Sequence, residues 1–115
     1  MAELKIDLAQ ILREAGCSPA VLDVVRERIR QTTEEGWSPE HDDEHIGGQL
    51  AKAAVCYAKP SYRKSASPPQ EWPWGEPWWK PKDQRSDLVR AAALLIAEID
   101  RIDRRAHPAP GNSDG

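Results

Sequence analysis

Apolar residues recur at intervals of three or four positions along most of the chain, which is the period of an amphipathic helix. Four segments carry this pattern, and no segment shows the alternation of apolar and polar residues that predicts a strand. The apolar positions of the four segments are Leu4, Leu8, Ile11 and Leu12; Leu22, Val25 and Ile29; Leu50, Ala53, Ala54 and Tyr57; and Leu88, Ala91, Ala92, Leu95, Ile99 and Ile102.

Glycine, serine and proline set the predicted helix boundaries. Gly16 and Gly36 predict the ends of the first two helices, since glycine adopts the left-handed conformation that follows a helix. Ser18-Pro19 and Ser38-Pro39 predict the starts of the second and third helices, because serine caps a helix and proline is tolerated in its first turn. Gly47-Gly48 weakens the beginning of the third helix. We therefore predict an all-α fold, a small bundle of about four helices.

Residues 59–83 interrupt the helical pattern with six prolines, one glycine and four of the five tryptophans of the chain. Prolines at this density exclude a regular helix, and each tryptophan has a large apolar surface to bury. We predict an ordered loop that packs over the helices as a lid, and whose tryptophans could alternatively stack a base. The domain is predicted to span residues 1–105, followed by a flexible tail over 106–115.

The composition limits the class of protein. The chain has 115 residues, 39% of them hydrophobic and 30% charged, which is typical of one small domain. No run approaches the roughly 20 apolar residues of a membrane span, and residues 1–15 lack the apolar stretch of a signal peptide. The two cysteines fit no metal or disulfide spacing. We expect a soluble cytoplasmic protein without a membrane partner.

Charge is unevenly distributed along the chain. Residues 1–51 carry 5 bases and 11 acids, residues 52–90 carry 8 bases and 4 acids, and residues 91–115 carry 3 bases and 4 acids. The corresponding net charges are −6, +4 and −1, which add to −3. A duplex-DNA partner is not expected, because such proteins usually present a basic face over the whole domain. The segregation suits a site where a cation and a phosphate-bearing ligand meet.

Two sets of carboxylates could hold a divalent cation. Six ionisable residues follow one another over 40–45 (EHDDEH), and oxygen-rich ligation favours Mg²⁺ or Mn²⁺; the alternative is that these acids only cap a helix. Asp87 and Glu98 lie eleven residues apart, about three helical turns, and so share one face of the last helix. The alternative is that Asp87 only interacts with the helix dipole and that Glu98 only pairs with Arg101. Glu27, Gln31 and Glu35 line one face of the second helix, where a solvated ion-paired stripe is the alternative.

Several strings within residues 21–105 form a recognisable set. They are Glu27-Arg28-Ile29-Arg30-Gln31, Glu35-Gly36-Trp37, His41-Asp42-Asp43, His45, Leu50-Ala51, Ala53-Ala54, Asp87-Leu88-Val89 and Ala97-Glu98-Ile99. This set resembles a family of short proteins encoded by phages and prophages. More remotely, the pattern is similar to the MazG-like all-α nucleoside triphosphate pyrophosphohydrolases.

The remote resemblance implies a dimeric or tetrameric helix bundle that binds Mg²⁺ on ExxE and ExxD motifs and releases pyrophosphate. Here these positions read Gln49-Leu50-Ala51-Lys52 and Asp87-Leu88-Val89-Arg90, so that only Asp87 matches.

We therefore predict a phage-type nucleotide-handling protein of the host cytoplasm, with Mg²⁺ as cofactor and pyrophosphohydrolase-like activity. The candidate residues are Glu35 and His45 for catalysis; Asp42, Asp43, Asp87 and Glu98 for the metal; and Lys80, Lys82, Arg85, Trp78 and Trp79 for the ligand.

Two other functions fit the same residues. A non-enzymatic protein could sequester a nucleotide signal, or bind and inhibit a host protein, and the incomplete acidic motif favours such a role. A structural helical module is the third alternative, in which the tryptophan loop only completes the core. In each case we expect a homo-oligomer, because the core is small and alanines of the last helix allow another helix to approach closely.

Overall fold

The computed structural model describes residues 7–59 and 67–107, and all regular structure within them is helical. This confirms the all-α fold class. The predictions for Leu4, for loop residues 60–66 and for tail residues 108–115 concern positions outside the described residues. The elements are α1 (Leu8–Glu14), α2 (Pro19–Thr33), α3 (Pro39–Asp42), α4 (Gln49–Ala58), a 3₁₀ turn (Glu76–Trp78) and α5 (Gln84–Ala106).

Local capping explains where most helices begin. The side chains of Ser18 and Ser38 accept hydrogen bonds from the backbone N–H groups of Val21 and His41, as their sequence context predicts. The predicted third helix is wrong in one respect, because it is divided into α3 and α4. Gly48 has a left-handed backbone (φ +82°) immediately before α4, and a new helix starts there instead of continuing from Ser38.

The core forms where α4 lies against α5 and the tryptophan loop covers both helices. Its small side chains allow the two helices to approach closely, while Tyr57 and two tryptophans fill the space at one end. The fully or nearly fully buried apolar residues of this core are Leu50, Ala53, Ala54, Cys56, Tyr57, Trp72, Trp79, Ala91, Leu94 and Ala97.

The apolar face predicted for α5 is only partly correct. Ala91 is buried, but Leu88, Leu95, Ile99 and Ile102 are between 45% and 56% exposed. The helix has two apolar stripes, and the stripe with more alanine is the one that faces α4 and α2. A similar correction applies to α2, where Leu22 is buried as predicted, whereas Ile29 is exposed and Gln31 is fully buried.

Tyr57, near the end of α4, attaches the tryptophan loop to the core. Its hydroxyl donates to the carbonyl of Trp78 at 3.4 Å and accepts from the backbone N–H of Lys80 at 3.2 Å. Its ring stacks on Trp79 and meets Trp72 edge-on, with centroid distances of 4.9 and 5.4 Å. The described part of the loop is therefore a lid over the helices, as predicted.

No helix within residues 7–59 and 67–107 combines the length and the apolar character that crossing a membrane requires.

Close packing of α4 on α5 predicts a strong effect of side-chain size at Ala97, which is 1% exposed. Ala97→Leu should lower the free energy of unfolding by about 2 kcal/mol, because the added atoms have no space. Ala20→Leu, at an exposed helical position, is the matched control and should change it by less than about 0.5 kcal/mol. Equal effects of the two substitutions in urea unfolding would contradict this packing.

Candidate functional site

A cleft of about 510 Å³ opens between α2, the first turns of α5 and the tryptophan loop. Its wall comes from five parts of the chain, so that the fold, and not one motif, creates it. The lining residues are Asp23, Arg26, Glu27 and Arg30 of α2; Glu35 and Trp37; Tyr57 of α4; Trp78, Lys80 and Lys82 of the loop; and Arg85, Ser86, Val89 and Arg90 of α5.

The cleft is positively charged although the chain is acidic. Six of its lining residues are lysine or arginine and three are carboxylates, which gives a local net charge of +3 against −3 for the whole chain. Among the described residues, the ammonium groups of Lys80 and Lys82 are in no ion pair. A concave surface with unpaired cations attracts an anion.

The loop presents its lysines to the cleft because its backbone is fixed at three points. Tyr57 bonds the backbone of Trp78 and Lys80, and the guanidinium of Arg90 donates to the carbonyl of Lys80. The buried carboxylate of Asp87 accepts from the N–H of Lys82 at 2.8 Å. The structure thus brings Trp78, Lys80, Lys82 and Arg85 together, the four predicted ligand-binding residues that line this cleft.

Trp79, the fifth predicted ligand-binding residue, does not line the cleft. It is 7% exposed and its ring packs on Tyr57 and Trp72. Trp79 is therefore a core residue, and this prediction is wrong in position. Trp72 and Trp79 are buried, whereas Trp74 and Trp78 line cavities, and the sequence alone did not resolve this division.

Glu27 and Glu35 hold the guanidinium of Arg30 at the floor of the cleft. Arg30 donates two hydrogen bonds to Glu27, at 2.8 and 2.9 Å, and one to Glu35, at 2.7 Å. Burial raises the pKa of Glu27, but Arg30, Gln31 and Arg90 more than offset this effect and bring that pKa below its ordinary value of 4.5. Glu27, Gln31 and Glu35 therefore belong to one polar network, in which Glu27 and Glu35 line the cleft and Gln31 is fully buried.

A second polar network joins α2 to α3 below the cleft. Asp42 is fully buried and accepts from Arg28 at 2.7 Å. Arg28 also donates to Gln31, which in turn donates to Glu27, both at 3.3 Å. Buried charges are tolerated only when they are paired in this way. The network fixes the side chains below the cleft relative to α3.

The four carboxylates predicted to bind Mg²⁺ do not form one site. Asp42 is paired with Arg28, Asp43 with Arg104 and Glu98 with Arg101. Asp87 accepts a hydrogen bond from the backbone of Lys82. It lies seventeen residues before Arg104, the partner of Asp43, which is about 25 Å along α5. Within residues 7–59 and 67–107, no three side chains of histidine, cysteine, aspartate or glutamate are arranged to hold a metal ion. The predicted ligand set is therefore corrected, and Mg²⁺ stays a prediction.

A smaller cavity of about 260 Å³ adjoins the cationic cleft and has aromatic walls. It is lined by Trp37, His41, His45, Trp74, Gly75 and Trp78, and it shares Trp37 and Trp78 with the cleft. We call this cavity the aromatic pocket. The predicted catalytic pair is divided between the two cavities, because Glu35 lines the cleft and His45 lines the aromatic pocket.

The two histidines of the aromatic pocket touch each other, with ring centroids 4.9 Å apart. Burial, together with the neighbouring His41, lowers the pKa of His45 from its ordinary value of 6.5 against the opposing effect of Asp42 and Glu44. His45 is therefore held neutral at pH 7, when its imidazole has one donor and one acceptor nitrogen.

Arg30, Trp37, Tyr57 and Arg90 are among the lining residues that the sequence did not predict as site residues. Arg90 stands where the ExxD motif has aspartate, and this difference from the motif was the available signal. A cation there faces the cleft and contacts the ring of Tyr57 at 4.9 Å. Tyr57 gave no such signal, because an aromatic residue in a helical segment usually belongs to the core. Trp37 lies in the short connection between α2 and α3 and gave no signal either.

The lowered pKa of Glu27 predicts how stability depends on pH. The folded state favours the ionised carboxylate, so this stabilisation is complete above the ordinary pKa of 4.5 and is lost as the pH falls through the lower folded-state pKa. At pH 7, Glu27→Gln should lower the free energy of unfolding by about 2 kcal/mol, and the difference from the native chain should shrink below pH 4.5.

Thermal unfolding followed by circular dichroism between pH 3 and 8 measures this difference. Glu34→Gln is the matched control, because Glu34 is exposed and should give a small, constant difference. A gap between the native and Glu27→Gln chains that does not change with pH would contradict the assignment.

Comparison with known proteins gives no relative for this chain: no protein-family model, curated protein or solved structure matches it.

Proposed function

We propose that this protein is a nucleotide-handling protein that binds the phosphates of its ligand in the cationic cleft. The observation that carries the proposal is the convergence of Lys80, Lys82 and Arg85 beside Trp78 in one concave site. Lysine and arginine are the residues that bind phosphate groups, through charge-assisted hydrogen bonds. A tryptophan beside these cations supplies an apolar surface for the remainder of the ligand.

The charge balance of the cleft supports a ligand with several negative charges. Arg30 is already held by Glu27 and Glu35, and Arg85 pairs with Asp23 at 2.8 Å. The pair of Arg85 and Asp23 is exposed and is therefore weak, so a phosphate can replace Asp23. Lys80 and Lys82 add two further cations to this end of the cleft. A di- or triphosphate fits this arrangement better than a single carboxylate.

The more specific form of the proposal is that the protein hydrolyses the nucleotide that it binds. In a Mg²⁺-dependent pyrophosphohydrolase, the metal would neutralise the phosphates and assist water attack. Glu35 is the lining carboxylate that we propose as its base, since it stands in the cleft beside Arg30. The sequestering alternative needs only the binding part of the site and no base.

Binding is tested by isothermal titration of the full chain with each nucleoside triphosphate, with and without Mg²⁺. We expect binding that weakens with added salt. The double variant Lys80→Gln, Lys82→Gln should bind about tenfold more weakly or worse, because each lysine provides a charged contact. Lys52→Gln, on the exposed side of α4, is the matched control and should bind normally. A native chain that binds none of the nucleoside triphosphates would contradict the proposal.

The same samples distinguish hydrolysis from sequestration. Release of monophosphate and pyrophosphate in the presence of Mg²⁺, lost in Glu35→Gln, supports the hydrolase. Binding without any product supports sequestration. Stable co-purification with a host protein, together with no nucleotide binding, would instead support the inhibitor alternative.

We also propose that the chain self-associates through α5. Its exposed residues Leu88, Leu95, Ile99 and Ile102, together with the partly exposed Ala92, follow one another at spacings of four and three residues, which is the repeat of a coiled-coil contact. A second copy of α5 carries the same repeat over the same 23 residues and therefore matches this stripe along its whole length. A two-fold dimer is the commonest result of such a self-complementary face.

Self-association is measured by analytical ultracentrifugation over a range of concentrations. We expect a dimer for the native chain and a monomer of unchanged helical content for Leu95→Glu, because a buried unpaired charge opposes association. Asp100→Ala, on the same helix but outside the stripe, should remain dimeric. A native chain that is monomeric at every concentration would contradict this proposal.

A further inference from the structure

We propose that the aromatic pocket is a nucleobase site, which makes a nucleotide, and not an inorganic polyphosphate or a phosphorylated sugar, the ligand of the adjoining cleft. This inference rests on the proposed function, since it assigns the second half of the same ligand. The shared walls of Trp37 and Trp78 carry it. A molecule whose phosphates lie against Lys80 and Lys82 extends past these two rings into the pocket.

The walls of the pocket have the chemistry that a planar ring requires. Trp37 and Trp74 are 5.9 Å apart between centroids, and His45 lies 5.3 Å from Trp74. Trp37 and His41 have nearly parallel planes, 6° apart. Bases bind aromatic side chains by stacking, and every base has the flat face that such stacking uses.

The histidines distinguish a base from other ligands of aromatic pockets. The Nδ1 atom of His41 and the Nε2 atom of His45 are enclosed and make no hydrogen bond within the described residues. A hydrogen-bonding ligand edge in the pocket would meet imidazole nitrogens at its wall, because both rings line it. A quaternary ammonium group, which aromatic cages also bind, has no polar edge for these nitrogens. A nucleobase has both donors and acceptors on its edge.

The charge of the lining also favours a neutral ring. Among residues 7–59 and 67–107, no carboxylate lines the aromatic pocket, so a cationic ligand would meet no counter-charge from them on its wall. The cations of the site all stand on the other side of Trp37 and Trp78, in the cleft. The two cavities therefore separate an apolar, hydrogen-bonding part of the ligand from an anionic part, which is the division that a nucleotide has.

The experiment compares two probes, ATP and inorganic tripolyphosphate, by isothermal titration. His41→Ala and His45→Ala should each bind ATP about tenfold more weakly but bind tripolyphosphate within twofold of the native chain. The chain has three histidines, and His107→Ala, at the exposed end of α5, is the matched control that should leave both affinities unchanged. Trp74→Leu keeps the position apolar but removes the stacking face, and it should act like the histidine variants.

Each outcome has one meaning. Loss of ATP affinity alone in the three pocket variants supports the base site. Equal ATP affinity in the native chain and all three variants overturns it, while binding in the cleft stands. If the native chain binds neither ATP nor tripolyphosphate, the proposed function itself fails. Binding of choline in the aromatic pocket, without binding of adenosine, would overturn the inference in favour of a cation site.

Discussion

The contacts of Tyr57 hold together the parts of this structure that form the candidate site. One side chain packs on Trp79 and Trp72 in the core, bonds the backbone of the loop on both sides of Trp79, and lies under the guanidinium of Arg90. It therefore fixes the loop lysines against α5. The same side chain therefore contributes both to the core and to the cleft wall. In a chain with no phenylalanine, Tyr57 and two of the five tryptophans supply the aromatic part of the core.

A buried polar network then sets the position of the other cleft wall. Asp42, Arg28, Gln31 and Glu27 are bonded in series from α3 to the face of α2. Each member satisfies a charge or amide that would otherwise be costly to bury. Arginines also pair with three of the carboxylates that looked like metal ligands. Asp42 and Asp43 pair with arginines of other helices, and Glu98 pairs with an arginine of its own helix.

The sequence predicted what depends on neighbouring residues and missed what depends on packing. The caps at Ser18 and Ser38, and the grouping of Lys80, Lys82 and Arg85, follow from a few adjacent positions. The buried face of α5 did not follow, because Ala91 and Leu95 lie on two apolar stripes of one helix and only the neighbouring helix selects between them. Asp87 likewise resembled a metal ligand in the sequence, but in the fold its Oδ1 atom accepts a hydrogen bond from the N–H of Lys82.

The most direct test of the two-part site uses the tryptophans as probes. Each indole N–H gives one nuclear magnetic resonance signal, and the five tryptophans divide into Trp37, Trp74 and Trp78 at the cavities and Trp72 and Trp79 in the core. Titration of the ¹⁵N-labelled chain with ATP and Mg²⁺ should shift the first three signals and leave the last two in place. Signals that all remain unchanged at millimolar ATP, or shifts confined to Trp72 and Trp79, would contradict this account.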